Sequence, residues 1–412
     1  MNTSTPLIEA VLPAESAPRR RPSLLASVAV LLVLLMSAGA LGLILRTRAT
    51  SQDFISYWSS ARLMVMHANP YDPARVRALE NQAGGHFPGA FLMRNPPWAL
   101  FLVLPLGWLP APVAAVLWSL AVTAVGLVSI RLLQPPTMKK IPLNAFFFGP
   151  LIACVASGQS ATFLLLGVSL FLYLERKRPF WAGVALLLPM MKPHLFLLFW
   201  PLLLFDAWRR GRWRIVAGAA TAVAAATAFA LCFDPHVWSH YLAAVQSQHI
   251  EKQFLPNISC ALRKTHPAAL WLQSVPTLLG LALVFWYRAR SSRWEWSCQG
   301  ALVLAASAVT APYSWPTDQV LLLPAVLAGY ERAGKTAIAV LTALNAIEFL
   351  VILRHPQFDP KGYLWTGPVW LAWCLWMYLQ KGAAGNMAAL VDTPARLRRA
   401  LCCKRPDAAT EA

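Results

Sequence analysis

A few polar side chains interrupt an otherwise apolar chain, and their types define a narrow chemistry. Asp53 opens the segment Asp53-Phe-Ile-Ser-Tyr57-Trp-Ser-Ser-Ala-Arg62, in which helical spacing places Phe54, Tyr57, Trp58, Ala61 and Val65 on one face, to lie at a membrane interface. A carboxylate there can take a proton from a hydroxyl or cap the helix it begins, and position alone leaves both open. Arg94, just before Asn95-Pro96-Pro97-Trp98, offers a planar cation that suits a phosphate or an interfacial anchor. Lys192, in Met191-Lys192-Pro193-His194, lies inside a long apolar stretch. Pro193 breaks the helix, and an ammonium at that depth requires an anion or water. Lys192 therefore reads as a ligand for a phosphate, with His194 as a second donor.

Weaker signals accompany these. Gly158-Gln159-Ser160 has the composition of a tight turn, with Ser160 as a helix N-cap and Gln159 as a neutral donor. Asn257, in Phe254-Leu-Pro-Asn257-Ile-Ser259, belongs to a polar loop suited to sugar hydroxyls. Tyr313 and Asp318 lie in a proline- and aromatic-rich turn, Thr310-Ala-Pro-Tyr313-Ser-Trp-Pro-Thr-Asp318.

The elements that must position these groups follow from composition. The chain has 412 residues, 58% hydrophobic and 13% charged, with a net charge of +19. So little charge excludes a soluble enzyme. A nucleic-acid binder is excluded because the basic residues lie between apolar runs rather than on a solvated domain. The apolar runs fall at about 24–45, 112–132, 142–157, 160–174, 180–191, 194–206, 214–232, 270–287, 297–311, 318–330, 335–353 and 363–380, which predicts an all-α polytopic membrane protein of about twelve transmembrane helices. Several runs are too short for a lipid-exposed crossing, so broken or protein-buried helices are expected. The segment 96–110 is apolar but short and bounded by prolines, which suggests a juxtamembrane or re-entrant helix.

About two thirds of the 36 Lys and Arg fall in clusters such as Arg19–Arg21, Arg176–Arg178 and Arg209–Arg214, on short loops of one side. The positive-inside rule makes that side cytoplasmic. The expected organisation is a cytoplasmic N-terminal tail (1–23), an uncleaved first helix within a transmembrane domain (24–380) and a cytoplasmic C-terminal tail (381–412). Two long external loops, about 46–111 and 233–269, complete it. The seven cysteines form no external pair, and no His/Cys spacing suits zinc. Asp53, Arg94, Gln159, Lys192, Asn257, Tyr313 and Asp318 all fall at external ends of their segments.

Taken in order, Asp53-Phe-Ile-Ser-Tyr57-Trp with Ala61-Arg62, Asn69-Pro70-Tyr71-Asp72-Pro73, Asn95-Pro96-Pro97, Gly158-Gln159, Lys192-Pro193, Pro256-Asn257-Ile-Ser259 and Pro312-Tyr313-Ser314-Trp315 followed by Asp318 resemble glycosyltransferase family 87. This is a family of polyprenol-phosphate-mannose-dependent alpha-mannosyltransferases. The resemblance spans about residues 50–330. It implies a C-type glycosyltransferase bundle with a catalytic first external loop, in a bacterial plasma membrane. It further implies a polyprenyl-phosphate sugar donor, a glycolipid or polysaccharide acceptor, and no cofactor or metal. On this resemblance Asp53 is the general base, Lys192, Arg94 and His194 bind the donor phosphate, and Tyr57, Arg62, Gln159, Asn257, Tyr313 and Asp318 bind substrate. The rival readings are a flippase or transporter of lipid-linked sugars, which favours an internal repeat that the sequence does not display, and a polysaccharide polymerase or ligase.

Overall fold

The structure, a computed structural model, describes residues 52–85, 89–135, 138–248, 253–291, 294–354 and 360–383. The expected first helix at 24–45, the N-terminal tail and the C-terminal tail from 384 onward lie outside the described residues. The regular elements among the described residues are all helical, with no strand among them.

In chain order the principal helices are α1 (Gln52–Val65), α2 (Pro73–Gln82), α3 (Ala111–Leu133), α4 (Gly149–Ser157), α5 (Ala161–Leu174), α6 (Pro179–Ala185), α7 (Phe199–Arg210), α8 (Trp213–Phe233), α9 (Val237–Gln248), α10 (Ile258–Thr265), α11 (Val275–Arg290), α12 (Ala301–Thr310), α13 (Leu323–Tyr330), α14 (Lys335–Arg354) and α15 (Thr366–Ala383). Among the described residues, four stretches are long and apolar enough to cross a membrane: α3, α8, Leu270–Arg290 and α14. The runs expected at 142–157, 160–174, 180–191 and 297–311 form shorter apolar helices. Fifteen residues of helix reach only about 22 Å, short of the roughly 30 Å hydrocarbon core. Prolines account for much of the shortening. The run at 194–206 divides into a 3-10 turn, Pro193–Phe196, and α7, while that at 318–330 divides into a 3-10 helix, Pro316–Leu322, and α13.

α1 departs from the interfacial helix that its spacing suggested. Phe54, Ile55, Tyr57, Trp58 and Ala61 are buried, but so are Ser56, Ser59 and Ser60 on its other faces. The serines allow this because a small hydroxyl can be satisfied locally: Ser56 Oγ donates to the Asp53 carbonyl at 2.8 Å, and Ser60 Oγ to that of Pro70 at 3.0 Å. Asp53 sits inside the first turn, since the helix begins at Gln52. The segment Pro97–Trp108, two 3-10 turns around a four-residue helix, packs on α1. Trp58 Nε1 donates to the Leu109 carbonyl and the Arg62 guanidinium to that of Gly107, each at 3.0 Å. The Asn69–Pro73 turn then starts α2, whose N-cap Asp72 accepts from Ala74 N and Arg75 N, with Pro73 at the first helical position.

α6 and α8 approach closely through two glycines. A Cβ on Gly183 would overlap the Ile215 carbonyl oxygen, and one on Gly218 the Phe180 carbonyl oxygen. Small residues permit such packing where lipid supplies no hydrophobic drive between helices. Gly218→Val is expected to cost about 1–3 kcal/mol through forced backbone shifts, lowering the thermal unfolding midpoint in detergent. Gly89→Ala, where an added Cβ meets nothing within 4 Å, should leave the midpoint unchanged.

Candidate active site

The site is assembled by chain breaks. α4 ends at Gly158, whose φ of +66° is readily reached only by glycine, and the reversal turns Gln159 inward. Gln159 Oε1 accepts from Tyr57 Oη at 2.5 Å, from Ser160 N at 3.0 Å and from Lys192 Nζ at 3.2 Å. An ammonium and a backbone N–H can only donate, so this atom must be the amide oxygen. The amide nitrogen is thereby left to donate on the side of the Asp53 carboxylate, whose ionised form Gln159 favours. Ser160 makes no side-chain cap for α5, contrary to the expectation from sequence. Its hydroxyl lies 3.0 Å from Tyr57 Oη instead.

Lys192 sits at the second break, between the 3-10 turns Pro189–Met191 and Pro193–Phe196. The freed carbonyls of Met190 and Met191 accept from Trp98 Nε1 and Asn95 Nδ2, each at 3.0 Å. The Asn-Pro-Pro-Trp segment thus splices the broken helix. The Lys192 ammonium meets Asp318 Oδ1 at 2.7 Å, the two side chains being 11% and 1% exposed. The other Asp318 oxygen accepts from Trp315 N at 2.9 Å, fixing the carboxylate at the start of the 3-10 helix.

Asp53 is partly buried, within electrostatic reach of Lys192, Asp318 and Arg94. Burial pushes its carboxyl up to about 6, a rise that the Lys192 ammonium opposes and the Asp318 carboxylate reinforces. Such a carboxyl is ionised near neutrality yet poorly solvated, which suits it to take a proton from a hydroxyl. Farther out, Arg94 is exposed and held by Gln248 Oε1 at 2.6 Å and Gln253 Oε1 at 3.0 Å. The rings of His194 and Tyr313 stack with centroids 3.9 Å apart.

Asp53, Tyr57, Gln159, Lys192 and Asp318 therefore converge, with Arg94, His194 and Tyr313 beside them. Arg62 and Asn257 do not join this group. Arg62 is nine positions along α1 from Asp53 and bonds Gly107. Asn257 caps α10 through Cys260 N and donates to the Ala311 carbonyl, so both atoms of its amide hold the loop in place. Asp318, expected to bind substrate, is the counter-ion of Lys192. The sequence showed Ser160, Asn95 and Trp98 only as parts of turn and Asn-Pro-Pro motifs, without their place in the site. Among the described residues no group of three or more His, Cys, Asp or Glu side chains is placed to hold a metal ion.

A family model, glycosyltransferase family 87, matches residues 91–312. No curated protein and no solved structure matches the chain. The matched region contains Arg94, Asn95, Gln159, Lys192 and Asn257. Asp53 and Asp318 fall on either side of it, joined to it through Gln159 and Lys192.

Asp318→Leu strands the Lys192 charge in the interior and is expected to cost about 3–5 kcal/mol, read as a lower thermal unfolding midpoint in detergent. The double variant Lys192→Met/Asp318→Leu should recover most of that loss. An equally unstable double variant would show that the stranded Lys192 charge is not the cause of the loss.

Proposed function

The chain belongs to glycosyltransferase family 87, and on that premise we propose that it moves a sugar, mannose as its motifs suggest, from a polyprenyl-phosphate donor to a glycolipid or polysaccharide acceptor outside the cell. Asp53 takes the proton of the acceptor hydroxyl. The acceptor oxygen then bonds the anomeric carbon from the face opposite the phosphate, inverting its configuration. The bond from that carbon to the phosphate oxygen breaks, and its electron pair leaves on the lipid phosphate. In the oxocarbenium-like transition state, negative charge grows on the phosphate, where nearby cations and donors stabilise it. Lys192, Arg94 and His194 fill that role, and Tyr57, Gln159 and Tyr313 line the sugar and acceptor positions. Arg62, Asn257 and Asp318 hold the frame.

The observation that carries this reading is the place of Gln159, which accepts from the Lys192 ammonium at 3.2 Å and favours the ionised form of the neighbouring Asp53 carboxyl. Base and cation are thereby kept adjacent without pairing directly, as inverting transfer from a phosphate requires. A lipid carrier also suits apolar helices around such a site, because its tail can remain in the bilayer while the phosphate reaches the cations.

The test offers radiolabelled polyprenyl-phosphate mannose and membrane acceptors to the purified protein. Asp53→Asn is expected to slow transfer about 10²–10⁴-fold, and undiminished transfer would rule Asp53 out as the base. With a pKa of about 6, Asp53 is protonated and inactive in more acidic solution. Wild-type transfer should therefore rise as pH passes upward through about 6 and then level off.

A further inference from the structure

The opposite end of the bundle carries a second polar assembly that the transfer reaction does not use. From Thr310, near the first site, back to Trp296, a helical stretch of about 22 Å runs to that end. There the buried Asp206 of α7 accepts from Trp296 Nε1 at 3.2 Å. Three guanidiniums share the same carboxylate: Arg210 at 3.1 Å, Arg288 at 3.5 Å and Arg212 at 3.8 Å. Arg212 also pairs with Glu175 at 2.5 Å, while Arg176 reaches both Glu175 and Glu295.

Beside this network, between the C-terminal turns of α7 and α11, lies a cavity of about 500 Å³ lined by Arg209, Arg210, Arg288 and Ser291, with Phe205 and Phe285 at its apolar side. Two features point to an anion there. Four guanidiniums meet three carboxylates and Arg209 adds a fifth at the cavity, so the described side chains leave positive charge uncompensated. Furthermore, the Arg288 side chain is only 7% exposed, and its Nε has no hydrogen-bond partner among the described residues. A buried donor left unpaired is costly. The surroundings indicate where the anion sits. Trp208, Trp213 and Trp286 stand exposed at this same end, and the Arg290 guanidinium lies 4.3 Å from the Trp286 ring centroid. Exposed tryptophans interleaved with arginines mark the headgroup level of a bilayer.

We propose that this cavity binds a phosphate group, that of an anionic lipid headgroup, with Arg209, Arg210 and Arg288 as its donors and Phe205 and Phe285 against the glycerol. Basic pockets between membrane helices are suited to such headgroups. The site is separate from the one at Asp53, so its test does not depend on transfer activity.

Native mass spectrometry of the full chain, released from micelles with equal phosphatidylglycerol and phosphatidylcholine, should find phosphatidylglycerol adducts in excess. Arg209→Gln, an exposed position outside the Asp206 network, should reduce that excess about tenfold, the worth of one charge-assisted bond, and Arg288→Gln should do the same where it folds. In a parallel arm, inorganic phosphate is added in neutral detergent. A rise in the unfolding midpoint that Arg209→Gln abolishes, without lipid selectivity, assigns the site to free phosphate. Equal adducts of both lipids with no such rise, or responses unchanged in Arg209→Gln, would overturn the proposal.

Discussion

A primary ammonium inside an apolar bundle must be compensated, and much of this architecture follows from how Lys192 is. Its charge is met by Asp318, 126 positions later, and by the Gln159 oxygen, 33 positions earlier. The turn at Gly158, the backbone bond that fixes Asp318 and the two prolines around Met190 and Met191 all serve that contact. Asn95 and Trp98 satisfy the carbonyls that the break exposes. Without a partner for the lysine, these departures from regular helix would carry unpaired polar groups with nothing to offset them.

The same contact determines the surroundings of Asp53. The carboxylate is not bonded to the lysine directly but lies beside the amide that the lysine contacts, and that amide favours its ionised form. Proximity to the cation keeps ionisation accessible, while burial keeps the carboxyl above its usual range. Tyr57, one turn further along α1, joins the same amide from the other side. A single glutamine therefore registers α1 against the α4–α5 turn and the broken helix after α6.

Much of this was legible in the chain because charge in an apolar sequence is conspicuous. Lys192, Asp53 and Arg94 stood out, and among the described residues the apolar runs fell where helices form. What the sequence could not reveal was pairing over long separations. Asp318 looked like a ligand because its partner is remote, and Asn257 did too because its cap and its bond to Ala311 arise only on folding. α1 looked like a surface helix because its serines read as polar, whereas Ser56 and Ser60 satisfy their hydroxyls against backbone carbonyls and are buried. The number of crossings was hard to judge for a related reason, since prolines such as Pro193 and Pro316 divide apolar runs that hydropathy alone treats as continuous.

Arg94 is held quite differently from Lys192. Its guanidinium rests on the amide oxygens of Gln248 and Gln253, neutral acceptors, where Lys192 has a carboxylate. A full negative charge attracts the guanidinium more strongly than a neutral amide oxygen does, so an anion arriving at the mouth can displace the two glutamines at modest cost, whereas displacing Asp318 would strand a buried charge. One cation is thus fixed and the other exchangeable. Such a division lets a site grip a charged leaving group on arrival and release it afterwards without disturbing the interior that holds the fold together.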